Sequence, residues 1–570
     1  MIGMPLARRL ARASMLAALM ALGPPHLAVA QGPYDPNACD APGDSPNVIV
    51  GDLQEIKRHG TIGGITAFSL GTFSCNIGTC WLDWIDGNDE NHHPTIGQNL
   101  FRVMNGRIEQ LGQSWLKHGF YATSEELCET GCLTTDGDHL GVNCSDPYSA
   151  TLNGSQNRLG PKFEVNATTG YHPHPVTDEA VTGDVIFKRL QVHNVDFDPA
   201  LNPGARWFVE GQYVAEDDAA AGNKNDNESY REVEPYINNF GTLDLRFVAG
   251  ADTQRMRPGI LAWSDNDPGV EISIVDDPAG GRFYVGAKAT QLGLGTWHYE
   301  YAIQNVDSDR SAGSVSVPVP AASTITGIGF HDVAYHSGEP FSGISWSSTD
   351  GSAGSVTWTT ATFATNANAN ALRWGTLYNY RFDCDRPPGR NLLGIGLFKP
   401  AAGEADRLVV ATIAPESCNG DGTCDAGETC FSCADCTDEG PDFDGDGSGY
   451  CADCAENDSL SWATPDEVLD VHATRAPGGE VILDWREPAE PGSSRPTYET
   501  LRTTVPSDFV GAASCLFSRD RSLRTVTDNG APSFRQALYY LVRAKSGCAA
   551  GMGTTGTDSF GQSRLEAICQ

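Results

Sequence analysis

"TWHYEYAIQN", residues 296–305, alternates without a break. In an extended chain Trp297, Tyr299, Tyr301 and Ile303 lie on one face, and Thr296, His298, Glu300 and Ala302 on the other. That period of two belongs to a β-strand with one face in a core. "RFYVGAKAT" (282–290), "SVTWTTATF" (355–363) and "LRWGTLYNYRFDC" (372–384) repeat the pattern. "LFRVMNGRIEQLG" (100–112) adds a hairpin, because Asn105-Gly106 suits the two positive φ angles of a type I′ turn. Gly, Asn, Asp and Pro separate these runs, and helical periodicity is scarce. The fold expected from this texture is all-β: a large β-sandwich domain over residues 31–414, as one or two packed sandwiches with a split near 200.

The ends differ from this body. Arg8, Arg9 and Arg12 precede the apolar run Met15–Leu22, and Ala28-Val29-Ala30 places small residues before Gln31. This is the pattern of a bacterial Sec signal peptide over residues 1–30, so a secreted, extracellular or cell-surface protein is expected. No later stretch holds roughly 18 uninterrupted apolar residues, hence no transmembrane helix is expected in the mature chain. The formal net charge of −35 argues against a nucleic-acid partner, which would need a basic face. Seventeen cysteines in an exported chain read as disulfides, with one left over.

Beyond residue 415 the composition shifts. "CNGDGTCDAGETCFSCADC" (418–436) offers no apolar core, so cross-links must hold the segment 415–438, and disulfides are favoured over zinc. The segment resembles small Cys-rich repeats of modular secreted bacterial proteins. "DFDGDGSGYCAD" (442–453) then sets Asp442, Asp444 and Asp446 at alternate positions, Gly447 at the bend, and Ser448, Tyr450 and Asp453 beyond it. Oxygen ligands in that order can wrap a hard cation the size of Ca²⁺. The spacing resembles EF-hand-like loops of the dockerin and thrombospondin type-3 kind, over residues 439–462. The resemblance implies carboxylate ligands at Asp442, Asp444, Asp446 and Asp453, a carbonyl at Ser448, and a structural calcium. It departs from the EF-hand in having Asp at the twelfth position and no second loop. Residues 463–570 resemble a fibronectin type III domain: "GGEVILDW" aligns Val481, Leu483 and Trp485, and "YYLVRAKSG" aligns Tyr540, Val542 and Ala544.

Seven of thirteen histidines fall between 92 and 193. That bias invites an acid–base or transition-metal site. In "GQSWLKHGF" (112–120) a strand would send Lys117 and His118 to opposite faces, with the Lys117 ammonium kept wet near an edge. Candidate acid–base groups are His118, His193 and Glu210, the last on one face with Phe208 and Gln212 and expected at the rim of a cleft. A second metal or polar site is expected from His93, Asp138 and His139. His92-His93, His139, His172-x-His174 and Met256 echo the ligand order of peptidylglycine-type copper monooxygenases, though the spacings do not match. No nucleophile elbow, zinc-protease helix or phosphate loop is present.

"GVNCSDPYSATLNG", "LQVHNVD", "FVEGQYV" and "GFHDVAYHSGEP" resemble uncharacterised secreted β-domain proteins of planctomycetes and myxobacteria over about residues 45–400. The resemblance implies export and supplies no catalytic residues. Two function classes follow. One is a calcium-binding extracellular protein with a binding or structural role towards glycans, matrix or neighbouring cells. The other is an extracellular hydrolase or lyase acting on polysaccharide.

Overall fold

The computed structural model describes Cys39 and residues 44–570, save for 87–91, 179, 294, 321–322, 419–429, 431–432, 434–435, 437–439, 441, 478, 507–508, 510–512, 517–521, 531–536, 549–552, 556–563 and 565–570. The expected leader at 1–30 and most of the Cys-rich segment lie outside the described residues. The fold is all-β and built of antiparallel sheets.

Four sheets make up the large part. In the first, Val48–Ile62, Ile65–Asn76 and Leu190–His193 lie side by side, with Ser145–Tyr148 also paired to Ile65–Asn76. The second runs in the order Leu243–Phe247, Glu228–Ile237, Arg206–Val214, Thr95–Met104, Leu116–His118 and Leu159–Gly160. Strand Arg107–Gln113 folds back on Thr95–Met104. Its turn is the expected one, with φ at 54° for Asn105 and 77° for Gly106. Strands on either side of residue 200 pair directly, Arg206–Val214 with Thr95–Met104. The third sheet holds Glu271–Asp276, Arg282–Gly293, Thr296–Asn305, Thr376–Cys384 and Ile325–His331. The fourth holds Ser347–Ser348, Ser355–Thr359, Ala312–Pro318, Pro388–Leu397 and Arg407–Pro415.

Alternation assigns the cores. Tyr299, Tyr301 and Ile303 are fully buried with Val315, Trp358, Tyr380 and Leu393, a cluster shared by the third and fourth sheets. Leu53, Phe68, Leu100, Val209 and Tyr213 form the matching cluster between the first and second. Each fully buried large apolar side chain contributes about 1.5–3 kcal/mol relative to exposure. The opposite, polar face of "TWHYEYAIQN" is also buried: Glu300 is 2% and Gln304 1% exposed. It meets the second sheet, where Phe101, Phe208 and Tyr230 pack with Trp263, Ala302 and Leu377. Several polar groups here find partners: Gln304 Nε2 donates to Glu210 Oε2 at 2.8 Å, and Glu300 Oε2 lies 3.1 Å from Arg107 Nη2. Leu377 N donates to Gln110 Oε1 at 2.7 Å, and Asn379 Nδ2 to the Ile108 carbonyl at 2.6 Å.

The C-terminal part forms two three-stranded sheets, one of Leu469–Arg475, Val481–Arg486 and Thr525–Asp528, the other of Ser514–Leu516, Thr497–Thr503 and Tyr539–Lys545. Leu483, Trp485, Tyr498, Val542 and Ala544 form their core, with Val481 and Tyr540 packed against it. Disulfides join Cys39–Cys80, Cys75–Cys128, Cys132–Cys144, Cys418–Cys433, Cys430–Cys451 and Cys454–Cys548. The C-x-x-C-x-x-C run is therefore cross-linked, as its composition suggests, and Cys548 ties back to Cys454. Cys384 is the free thiol among the described residues, and it is buried. Among the described residues no helix is long and apolar enough to cross a membrane.

Candidate metal centres

Strand Leu116–His118 is short and central: Thr95 pairs with His118, and Lys117 with Leu159 on the other side. As expected for consecutive strand residues, the two side chains part. Lys117 differs from expectation in being only 3% exposed. Its ammonium is buried because Nζ donates to the Asn157 carbonyl at 2.7 Å, which replaces the water the sequence reading required. His118 turns to the other face and meets His93, which lies two residues ahead of strand Thr95–Met104. His93 Nε2 and His118 Nδ1 are 3.1 Å apart. His172, carried in by the irregular segment between Leu159–Gly160 and Leu190–His193, completes a trio. Its ring centroid lies 4.7 Å from each of the other two. Each ring offers one nitrogen, and these three atoms all lie within 4.8 Å of one another.

The three rings are buried: His93, His118 and His172 are 4%, 2% and 1% exposed. Burial pushes the His93 pKa down to about 3, helped by the neighbouring His172. The same desolvation holds His118 well below its ordinary value and lowers His172. All three rings are therefore neutral at pH 7, the form that binds metals. His93 Nδ1 donates to the Ile85 carbonyl at 3.1 Å, so its Nε2 presents the lone pair. Gly160 permits the close packing, since a Cβ there would meet His118 Nε2 at 2.6 Å and Val176 Cγ1 at 2.3 Å.

The remaining sequence candidates lie apart from this trio. His193 is exposed at the end of Leu190–His193, paired with Ile65. His139 stacks on Trp81 at 4.3 Å, with Nδ1 3.2 Å from Asp136 Oδ1 and Nε2 3.7 Å from Asp83 Oδ1. Asp138 is exposed, and its carbonyl accepts from Trp84 N. Met256 is exposed as well. Glu210 shares its face with Phe208 and Gln212 as expected, yet it is fully buried between the second and third sheets and stands at no rim. It accepts from Asn99 Nδ2 at 2.7 Å, Gln304 Nε2 at 2.8 Å and Gly259 N at 2.5 Å. Burial raises its pKa, and these bonds oppose the rise. A carboxylate whose oxygens are all taken by structural donors is a fastening between layers. Sequence reasoning did not foresee it, because a period of two cannot reveal what covers the second face.

No protein-family model matches this chain. No curated protein matches it either.

A different cluster occupies the acidic loop. Asp442 Oδ1 accepts from Gly445 N at 2.6 Å, and its Oδ2 from Gly447 N at 3.0 Å. Asp444, Asp446 and Asp453 each use Oδ1 on a backbone N–H two residues on. Their second oxygens are buried without a hydrogen-bond partner, as are both oxygens of Glu456. Asp453 is 8% exposed. Burial, then mutual repulsion, raises Asp444 and Asp453 to about 6, and Glu456 to about 8 under the charges of Asp453, Asp444, Asp442 and Asp446. Glu456 is thus a fifth carboxylate of the cluster, missed in the sequence because it lies three residues beyond the loop template. The Tyr450 ring has another task. It packs with Leu392, Val409 and Phe443, holding the loop against the fourth sheet. Asn457 adds a paired bond to the backbone of Val409, at 2.9 and 3.0 Å. Ligand atoms of Asp442, Asp444 and Asp446 lie within 4.8 Å of one another.

Proposed function

We propose that this is a secreted, modular, calcium-organised β-protein of the binding and structural class, acting at the cell surface or outside it. The observation that carries the reading is the set of buried carboxylate oxygens without a hydrogen-bond partner on Asp444, Asp446, Asp453 and Glu456, beside the grouped ligand atoms of Asp442, Asp444 and Asp446. Unpaired buried carboxylates repel each other and are costly, and a divalent cation removes both penalties at once. All-oxygen donors on a glycine-bent loop select a hard cation such as Ca²⁺ over zinc or copper. The ion would set the joint between a body of packed β-sandwiches and a fibronectin type III-like module. Melting of the full chain in calcium against chelator tests this. At 100 times Kd the ion should stabilise by about 2.7 kcal/mol, and Glu456→Gln should weaken binding about tenfold. Coincident melting curves would sink the proposal.

A surface cleft of about 780 Å³ supports glycans as the ligand class. Glu55, Lys57, Arg58, Asn238 and Asp244 line it beside Phe240, which stands 91% exposed at a turn. An open aromatic face among hydrogen-bonding groups suits a sugar ring, which is apolar on its faces and polar at its edge. Calorimetric titration with soluble polysaccharides, repeated with Phe240→Ala, checks it. Equal binding by both chains would reject this face. A hydrolase or lyase built on His118, His193 and Glu210 finds less support, because one of these groups is in the histidine trio, one on the surface and one sealed between sheets.

A further inference from the structure

We propose that His93, His118 and His172 bind one first-row transition ion of the zinc class, and that this ion is a structural clamp separate from the calcium loop. Three features converge on it. The first is geometry: ligands about 2.0–2.1 Å from a tetrahedral ion stand about 3.3 Å from one another. His93 Nε2 and His118 Nδ1 already stand 3.1 Å apart. The third nitrogen lies within 4.8 Å of both, so an inward shift of His172 closes the site.

The second is the donor arrangement. With Nδ1–H committed to the Ile85 carbonyl, His93 Nε2 is a lone pair aimed at His118. A carbonyl behind a ligating imidazole fixes its tautomer and orientation, as it does around bound zinc. His172 has two carbonyls in reach, His93 O at 3.2 Å and Pro173 O at 3.4 Å. A neutral ring can donate to only one of them, which leaves its other nitrogen as a lone pair. In the ion-free chain His118 Nδ1–H donates to the His93 lone pair. With an ion bound, His118 would carry its proton on Nε2 and offer Nδ1. Each imidazole then brings one lone pair, the donor set that borderline ions prefer to oxygen.

The third is the tertiary role. The three histidines come from three places in the chain: the approach to Thr95–Met104, strand Leu116–His118, and the segment after Lys162–Glu164. An ion here fastens that segment onto the second sheet where no disulfide reaches it. Burial of all three rings suits a structural ion rather than a catalytic one, which keeps an open position.

The test uses the full chain, stripped with a strong chelator and titrated with Co²⁺ in excess Ca²⁺, which keeps the acidic loop occupied. One Co²⁺ per chain should bind with the intense visible bands of a low-coordinate nitrogen site, and Zn²⁺ should displace it. His172→Ala should abolish the bands and weaken binding more than about 100-fold, beyond the loss of a supporting hydrogen bond. The exposed control His193→Ala should leave both unchanged. X-ray absorption of the zinc-loaded wild-type chain needs no variant and should show about three imidazoles at 2.0–2.1 Å. Wild-type chain that takes up no Co²⁺, an oxygen-only shell, or uptake undiminished in folded His172→Ala would each overturn the clamp. Loss of the calcium response with the cobalt bands intact would overturn the proposed calcium loop alone.

Discussion

The histidine trio and the acidic loop solve the problem of buried ionisable groups in opposite ways. The trio is lodged in and beside paired strands, and desolvation keeps its members neutral, so the pocket is stable before any ion arrives. The loop gathers five carboxylates on a turn, where each ionised group makes the next harder to ionise. A rigid neutral site accepts a metal as reinforcement. On the calcium reading proposed above, an anionic loop gains from a cation by the relief of repulsion among its carboxylates.

The largest test of that contrast is to remove charge from the loop. Asp444→Asn with Asp446→Asn should cut calcium affinity more than about 100-fold, since ligand charge sets affinity in such loops. Cobalt uptake at the histidines should not change, as calorimetry of the full chain would show; a joint loss would mean the two sites are coupled. Next in size is Gly160→Ala, whose methyl would strike His118 Nε2 and Val176 Cγ1. Overpacking of this kind costs about 1–3 kcal/mol. It should lower the melting temperature and impair cobalt binding while calcium binding persists, and an unaltered cobalt site would refute the close packing.

The smallest test asks whether the β-body in general lodges its buried acids neutral. Asp218 accepts from Val48 N and Asn227 Nδ2, both at 2.9 Å, and burial lifts its pKa to about 8. Its folded pKa lies above the unfolded value near 3.9. Its contribution is therefore full at low pH and is lost as pH rises through about 4 to 8. Asp218→Asn should flatten that decline by about 1 kcal/mol per pH unit at its steepest. The amide fits if Asn227 turns over, because Asn227 Oδ1 is buried without a partner. Urea unfolding between pH 5 and pH 8 reads the slope, and an unchanged slope would mean that Asp218 is charged throughout.

Much of the β-fold was legible because one rule, alternation, is enforced on every core strand. Tyr299, Tyr301 and Ile303 point as their spacing says, and Asn105-Gly106 turns as its φ requirements say. What alternation cannot convey is the company of the second face, so Glu210 read as a cleft carboxylate and proved to be a fastening. The candidate sites were half legible. His93 and His118 stood out by type, but His172 lies in "YHPHP", where proline signals a loop and says nothing of where that loop docks. Asp138, His139 and His193 share the histidine-rich stretch yet not its packing. In the acidic loop four of the five carboxylates, Asp442, Asp444, Asp446 and Asp453, are local and could be read directly, whereas Glu456 lies beyond the loop template.

The disulfides around that loop have a mechanical consequence. Load applied beyond Cys548 passes through sulfur to Cys454, three residues back along the chain reaches Cys451, crosses to Cys430, and leaves from Cys433 to Cys418 just beyond the fourth sheet. Only the short backbone runs 430–433 and 451–454 lie on this covalent route. The aspartates at 442, 444 and 446 sit in the slack between them. Tension between the two ends of the chain would follow this sulfur-bridged route and bypass residues 442–446, while Asp453, inside the run 451–454, would carry it.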